Sequence, residues 1–420
     1  MSEPFAGWRM VGMGFGTQAL AIGFTLGTFG VFLAPMEEAF GASRGQVSLG
    51  LALMNLFMNL SLPWVGRALD RGSPRRIMAL GALLNVAALL CVAASRELWQ
   101  MLAAFGLLAS LGTAMMGPVA SSTLMANWFE ARRGLALGIA NCGAPLGVAV
   151  FALAAGWSVD ALGWRTTLLA YSGLTLGLAL PMAWWGVVDR PQNLGQRPDG
   201  AHPPAPEAQE HSLSSEPDSA SAEEAAAPVW TNRALLANAG FWSLAMGMGI
   251  PIACSIIVTG HLVAFAMGLG VSGQMAAGLL SLQGLAAIPG TFVFGLLADR
   301  LNPRGLLWGC IGMQMAVFAA LRGGPDFSLL LPLVAVQGIC MGGIFPVGGA
   351  MIGARFGAPA FGQVLGMVFL VTLPLAFAGP PLAGMVYDAS GTYAGVFLGL
   401  IAIYALAAAA LLRPRRPAAA

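Results

Sequence analysis

The chain has 420 residues, of which 57% are hydrophobic and only 9% charged, with a net charge of +2 and a mean hydropathy of +0.77. A water-soluble domain is about 45–50% apolar, so a soluble globular protein of this length is excluded: the charge to cover its surface is missing. So small a net charge points to no nucleic-acid partner. The five cysteines all lie in apolar blocks without CxxC spacing, and with three histidines they offer neither a metal site nor a disulfide framework.

The apolar residues fall into blocks of about 20, each long enough as a helix to cross a hydrocarbon core. Twelve such spans are expected, starting near Met10, Gln46, Ile77, Trp99, Gly134, Thr166, Gly240, Ser272, Leu306, Ser328, Gly362 and Tyr393. Arg9 runs straight into the first block without a small-residue cleavage site, so that span is expected to be retained. It carries Gln18, Thr25 and Thr28. The second holds Asn55 near mid-depth and ends in the charged turn "GRALDRGSPRR", Gly66 to Arg76. The fourth holds Met115 and Met116, and the fifth holds Asn141 in its first half.

After the sixth span the composition changes to Pro, Ala, Ser and Glu. Between Asp199 and Glu224 there are seven acids and no arginine, which predicts a disordered tether at 189–232 between domains 1–188 and 233–420. The seventh span carries Ser255, Thr259 and His261, the only histidine inside a span. The eighth holds Gln283 and ends in "GLLADRLNPRG", Gly295 to Gly305. The tenth holds Gln337, Met341 and Phe345, and the eleventh holds Thr372.

The two charged turns align on Gly66/Gly295, Asp70/Asp299, Arg71/Arg300, Pro74/Pro303 and Arg75/Arg304, 229 positions apart. "GWSVDALGW" (Gly156, Asp160, Gly163) is echoed by "GMVYDASGT" (Gly384, Asp388, Gly391), and Pro118 by Pro346, at an offset of 228. A constant offset over separated spans means a duplicated six-helix half. Parallel halves about an axis along the membrane normal are one transporter architecture. The fold class expected is an all-α membrane protein of twelve transmembrane helices in two pseudo-symmetric halves.

All basic residues are arginine. Placing both termini on one side puts sixteen arginines there and leaves Arg44, Arg96, Arg165 and Arg322 on the other. The excess predicts cytoplasmic termini. Every acid and every arginine falls at a span end, in a loop or in the tether. A charge at mid-bilayer costs roughly 2.5–3.5 kcal/mol or more, and with none there, a small multiply charged anion is a poor substrate. Candidate substrate contacts are therefore Asn55, Asn141, Gln283, Gln337, Thr25, Met115 and Phe345. The amides serve equally well as glue between helices. His261 is a candidate for proton coupling or a satisfied histidine near the membrane boundary. The charged turns suit a latch made in one conformation and broken in another, or a plain topology signal. Gly66, Asp70, Arg71, Arg75, Asp299 and Arg300, with Arg132 and Arg133, are its candidate residues. The glycine is expected to let two helices approach. No nucleophile–base pair, cofactor site or metal site can be placed, so an enzyme is not expected.

"GRALDRGSPRR" resembles the loop signature of the major facilitator superfamily, departing from it at Ser73-Pro74. That resemblance implies alternating access around a central site. "NWFEARRGLALGIANCGAPLG" is similar to the signature of the monocarboxylate transporter-like group (the monocarboxylate/oxalate–formate porters). Trp128, Phe129, Arg132, Arg133, Gly134, Ala136, Gly138, Ala140 and Gly143 carry the match. Gly7-Trp8 is a looser match to that group's first-helix signature, and His261 in "TGHLVAFAMGLGVS" resembles its bacterial members. The group implies small organic acids moved with a proton or exchanged. An Asp and Arg four apart in the eighth helix are replaced by Ala287 and Thr291. The expected function is thus secondary transport of a small organic monocarboxylate by a monomer in a lipid bilayer, placed in a bacterial cytoplasmic membrane. The alternative is efflux or facilitated transport of an apolar, uncharged compound.

Overall fold

The computed structural model describes residues 5–129, 132–198, 230–356 and 361–412. The side chains of Asp70, Arg133, Gly134, Asp299, Phe361, Gly362 and Leu412 lie outside that description, as do residues 199–229 of the expected tether. Among the described residues twelve helices are long and apolar enough to cross a membrane: α1 (Gly7–Phe40), α2 (Arg44–Leu69), α3 (Pro74–Ala94), α4 (Leu98–Trp128), α5 (Leu135–Leu162) and α6 (Trp164–Gly186) in the first half. The second half holds α7 (Ala239–Gly268), α8 (Gly273–Ala298), α9 (Pro303–Arg322), α10 (Phe327–Phe356), α11 (Gln363–Ser390) and α12 (Ala394–Leu411). The protein is an integral membrane protein of two six-helix halves. Exposed tryptophans ring both ends of the bundle, Trp8, Trp64 and Trp185 at one and Trp99 and Trp157 at the other, as indole rings do at membrane interfaces.

The duplication reaches the helix caps. Ser43 accepts the Gln46 N–H at the start of α2, and Ser272 accepts the Met275 N–H at the start of α8. Ser73 precedes Pro74 at the start of α3, and Asn302 precedes Pro303 at the start of α9. Each cap supplies an acceptor to a first-turn N–H, and each proline fills a position whose N–H would go unused. These pairs stand 229 positions apart, like the charged turns they flank.

The halves differ where chain chemistry differs. In α4, Gly117 is extended ahead of Pro118 and breaks the helix, whereas α10 runs through Pro346 unbroken. α1 unwinds between Phe24 and Phe29, and α7 instead contains a wide turn at Ala245–Gly249. These irregularities are tolerated because neighbouring helices cover them.

Within each half, helices meet backbone to backbone at glycine. A Cβ on Gly147 of α5 would run into the Ala19 carbonyl of α1, and one on Gly342 of α10 into the Ala287 carbonyl of α8. In hydrocarbon such close approach replaces the missing hydrophobic drive. Gly66 corrects the expectation placed on it: a Cβ there would meet nothing within 4 Å, and one on Gly295 would meet only the Pro346 Cβ, at 3.8 Å. The turn glycines are not close-approach points in this conformation.

This packing predicts a contrast between two Gly→Ala variants of similar chemistry. Gly342→Ala overpacks the α8–α10 seam and should destabilise by about 1–3 kcal/mol. Gly312→Ala, where nothing lies within 4 Å, should leave thermal unfolding in detergent unchanged or raised. Equal melting temperatures would show that the seam can give way.

Candidate functional site

The two halves touch along α5–α8 and α2–α11, and the contacts gather towards the arginine-poor end. A Cβ on Gly284 of α8 would lie 2.6 Å from the Pro145 carbonyl and 3.0 Å from the Ala149 nitrogen of α5. Further out, Gly156 of α5 meets Ala277 of α8, and the Asp160 carboxylate lies beside Gly273 at the start of α8. On the other seam, Gly384 of α11 lies against the backbone of Gly45 in α2, where a Cβ would come within 2.6 Å. Gly30 of α1 faces the Thr259 and Gly260 carbonyls of α7, 3.0 Å from a Cβ placed there.

At that same end a polar cluster joins the halves. Arg44, in the first turn of α2, is 9% exposed. Its guanidinium makes a forked pair with Glu37, Nε to Oε1 at 2.6 Å and Nη2 to Oε2 at 3.1 Å. From the second half, the Tyr387 ring lies under the guanidinium, 3.9 Å from its centroid, and Nη1 donates to the Tyr393 hydroxyl at 3.3 Å. The Asp388 carboxylate accepts from the backbone N–H of Arg44 at 3.1 Å and of Gly45 at 3.0 Å. A carboxylate of α11 thus caps the N-terminus of α2, where the helix dipole favours negative charge.

The cluster continues inward in a single donor direction. The Tyr393 hydroxyl lies 2.9 Å from His261 Nδ1, and His261 Nε2 lies 3.0 Å from the Pro380 carbonyl and 3.4 Å from Ser48 Oγ. A carbonyl only accepts, so Nε2 carries the ring hydrogen and Nδ1 accepts from Tyr393. Burial pushes the Tyr393 phenol above its ordinary pKa, against the pull of Arg44, which keeps it a donor. His261 is 4% exposed with both nitrogens engaged.

Mid-depth amides form two further clusters. In the first half, Gln18 Nε2 of α1 donates to the Ala140 carbonyl at 3.3 Å and to Asn141 Oδ1 at 3.2 Å. In the second, Thr259 donates to Gln283 Oε1 at 3.4 Å, and Gln283 Nε2 to Gln337 Oε1 at 2.6 Å. Gln18 Oε1, Ser121 Oγ and Gln337 Nε2 are buried without a protein partner.

The remaining candidates are placed as follows. Asn55 is 2% exposed and donates to the Leu51 carbonyl of its own helix. Thr25 donates to the Ala21 carbonyl and lies 3.4 Å from Thr113 of α4. Met115 packs against Gly81 of α3, and Phe345 is exposed. Among the turn residues, the Arg75 N–H donates to Asp189, the first residue of the expected tether, at 2.8 Å, and its guanidinium lies over Trp184 of α6, so neither contact reaches the second half. Arg71, Arg132 and Arg300 are exposed, and the side chains of Asp70, Asp299 and Arg133 lie outside the described residues. The sequence reading passed over Glu37, Arg44, Tyr393 and Asp388 as a cluster. Asp388 stood in the repeat, and Arg44 was one of four arginines on its side. Those were the only signals.

The sequence matches the Major Facilitator Superfamily over residues 15–321 and 269–420. It is similar to monocarboxylate transporter 12 of Rattus norvegicus, 24% identical over 94% of this chain and 83% of the relative. Monocarboxylate transporter 3 of the same species is 27% identical over 93% and 76%. An MFS-type transporter of Gibberella moniliformis is 25% identical over 92% and 88%. Its fold is similar to that of a bacterial homolog of the human lysosomal transporter Spinster, solved inward-facing and unoccupied, with a TM-score of 0.68 at 18% identity over 98% of this chain and 95% of that one.

The contacts that join the halves at this end predict a shift in conformational balance when they are removed. A cation–π contact is worth about 0.5–2 kcal/mol, and the capping bonds of exposed Asp388 add a screened increment. Arg44→Gln and Asp388→Ala should each therefore lengthen the distance between spin labels at Ala39 and Thr392 in a several-fold larger fraction of molecules. Glu38→Gln, one residue from the forked pair, should leave the distribution unchanged. Unaltered distributions in the Arg44 and Asp388 variants would show that other contacts hold this end shut.

Proposed function

The chain belongs to the Major Facilitator Superfamily, and we propose that it carries a small organic monocarboxylate across the membrane by alternating access, with a proton or in exchange for another acid. The arginine-rich end faces the cytoplasm on this reading. The structure is then the state closed to the outside.

One observation carries the substrate class: the mid-depth polar groups are amides and hydroxyls, with no acid or arginine among the described residues there. A site without fixed charge cannot answer two carboxylates. It can hold a single carboxyl group whose charge is cancelled by a proton, the desolvation of an unpaired ion being prohibitive. The monocarboxylate transporters among the relatives support the same class. Asn141, Gln283 and Gln337 are the proposed polar contacts. Asn55, Thr25 and Met115 sit in helix contacts, and exposed Phe345 is kept as a proposed apolar wall.

The outer cluster of Arg44, Asp388, Tyr393 and His261 acts as the latch of the state seen here. In the opposite state the charged turns, Gly66 to Arg76 and Gly295 to Gly305, take that part at the cytoplasmic end. On this reading His261 links protonation to the latch, because a proton on Nδ1 displaces the Tyr393 donor.

Uptake into proteoliposomes tests the reading. Propionate uptake should saturate and rise at least several-fold with an inward proton gradient, and dicarboxylates should compete weakly. Uptake indifferent to the gradient would remove the symport mode and leave exchange. Competition by neutral amphiphiles alone would overturn the acid substrate and favour transport of an apolar compound.

A further inference from the structure

The amide pair Gln18–Asn141 has an orientation that backbone chemistry fixes. Gln18 turns one edge of its amide towards α5, where it meets the Ala140 carbonyl and Asn141 Oδ1. A backbone carbonyl can only accept, so that edge must be the NH2. The atom of Asn141 facing it must then be the oxygen. Asn141 is left presenting its own NH2 away from Gln18.

The direction of that NH2 follows from the helix. Asn141 ends the first segment of α5 at a turn through Cys142, four residues before Pro145 and eight before Ala149, the two residues that meet Gly284 of α8. Exposed Leu135 and Ile139 mark a different face, since successive residues turn by about 100°. α5 and α8 touch at Pro145 and outward from it. Asn141 is therefore one turn, about 6 Å, towards the arginine-rich end from that crossing, where the two halves part. It is half-buried there, whereas Gln18 is fully buried.

We propose that Asn141, oriented by Gln18, is the donor that receives the carboxyl group of the substrate in the cleft, with Gln18 as its positioning residue. The inference rests on the transport reading above and sharpens it: the first half offers a hydrogen-bond donor, not an acceptor and not a charge. The site selects ligands by lone pairs on oxygen. A carboxylate brings two acceptor oxygens to this donor, and the corresponding amide brings one, so the amide competes more weakly.

The test is transport kinetics of the full chain in proteoliposomes, with propionate as substrate and propionamide as competitor. Asn141→Leu should raise KM about ten-fold or more, the loss of one hydrogen bond to a charged or strongly polar group, with Vmax within about two-fold. Gln18→Leu should raise KM in the same direction, and the double variant should be no worse than Asn141→Leu alone, because both remove one interaction. Asn141→Asp keeps the side-chain shape and reverses its chemistry. It should reject propionate and become the variant most sensitive to propionamide, a reversal that loss of packing would not produce. If the wild type moves propionate while Asn141→Leu and Asn141→Asp keep its KM and its selectivity, the donor assignment is overturned and the transport reading stands. If the wild type moves no monocarboxylate, the transport reading falls and takes the assignment with it.

Discussion

The closed end of this protein depends on one buried cation. Arg44 leaves water at the first turn of α2 and is answered from both halves, by Glu37 of its own half and by Tyr387 and Tyr393 of the other. Removing a partner from such a pair leaves a charge without compensation, which is far costlier than never having buried it. The arrangement therefore favours all partners together or a hydrated guanidinium, and little between. That is the behaviour a two-state closure needs, because packed interfaces switch between discrete arrangements and do not deform gradually.

Glycine makes this closure possible at the backbone level. With no side chain at Gly45, Gly384 or Gly284, the α2–α11 and α5–α8 seams come close enough for Asp388 to reach two N–H groups of α2 across the interface. The same device works inside each half, where Gly147 and Gly342 lie on neighbouring carbonyls. A bundle in lipid gains nothing by burying leucine against leucine rather than against acyl chains. Close backbone contact and a few satisfied polar groups therefore carry the association. Polar chemistry is correspondingly sparse and placed where helices cross.

Spans and halves were legible in the sequence, and the caps, though local signals too, came to light only with the structure. Apolar length, a capping Ser or Asn, and a proline at the first turn recur 229 residues apart. The cluster that joins the halves was not legible, because Arg44 and Asp388 are 344 residues apart and meet only once the halves pack. On sequence alone, Arg44 was a minority topology signal and Asp388 a repeat marker. Mid-depth position likewise could not decide which face a residue shows. Asn55 sits at the expected depth but turns to its own helix, and Met115 turns to Gly81. Gln18 and Asn141 look alike in a list of polar residues, yet one is fully buried between α1 and α5 and the other only half-buried.

The neutral interior bears on how an uncharged relay can serve a transporter. A fixed cation in the cleft would hold an anion firmly, but it would have to be desolvated or re-paired each time the empty carrier reorients. An amide carries no such Born penalty, and its hydrogen bonds exchange with water at a small net cost. Its weakness is ambiguity, since an amide turned over offers an acceptor where a donor is needed. Gln18 removes the ambiguity at Asn141 by tying its oxygen, and Ala140 removes it at Gln18 by offering only a carbonyl. On the transport reading, orientation then takes the place of charge: the cleft offers a donor to an oxygen lone pair while remaining neutral when empty.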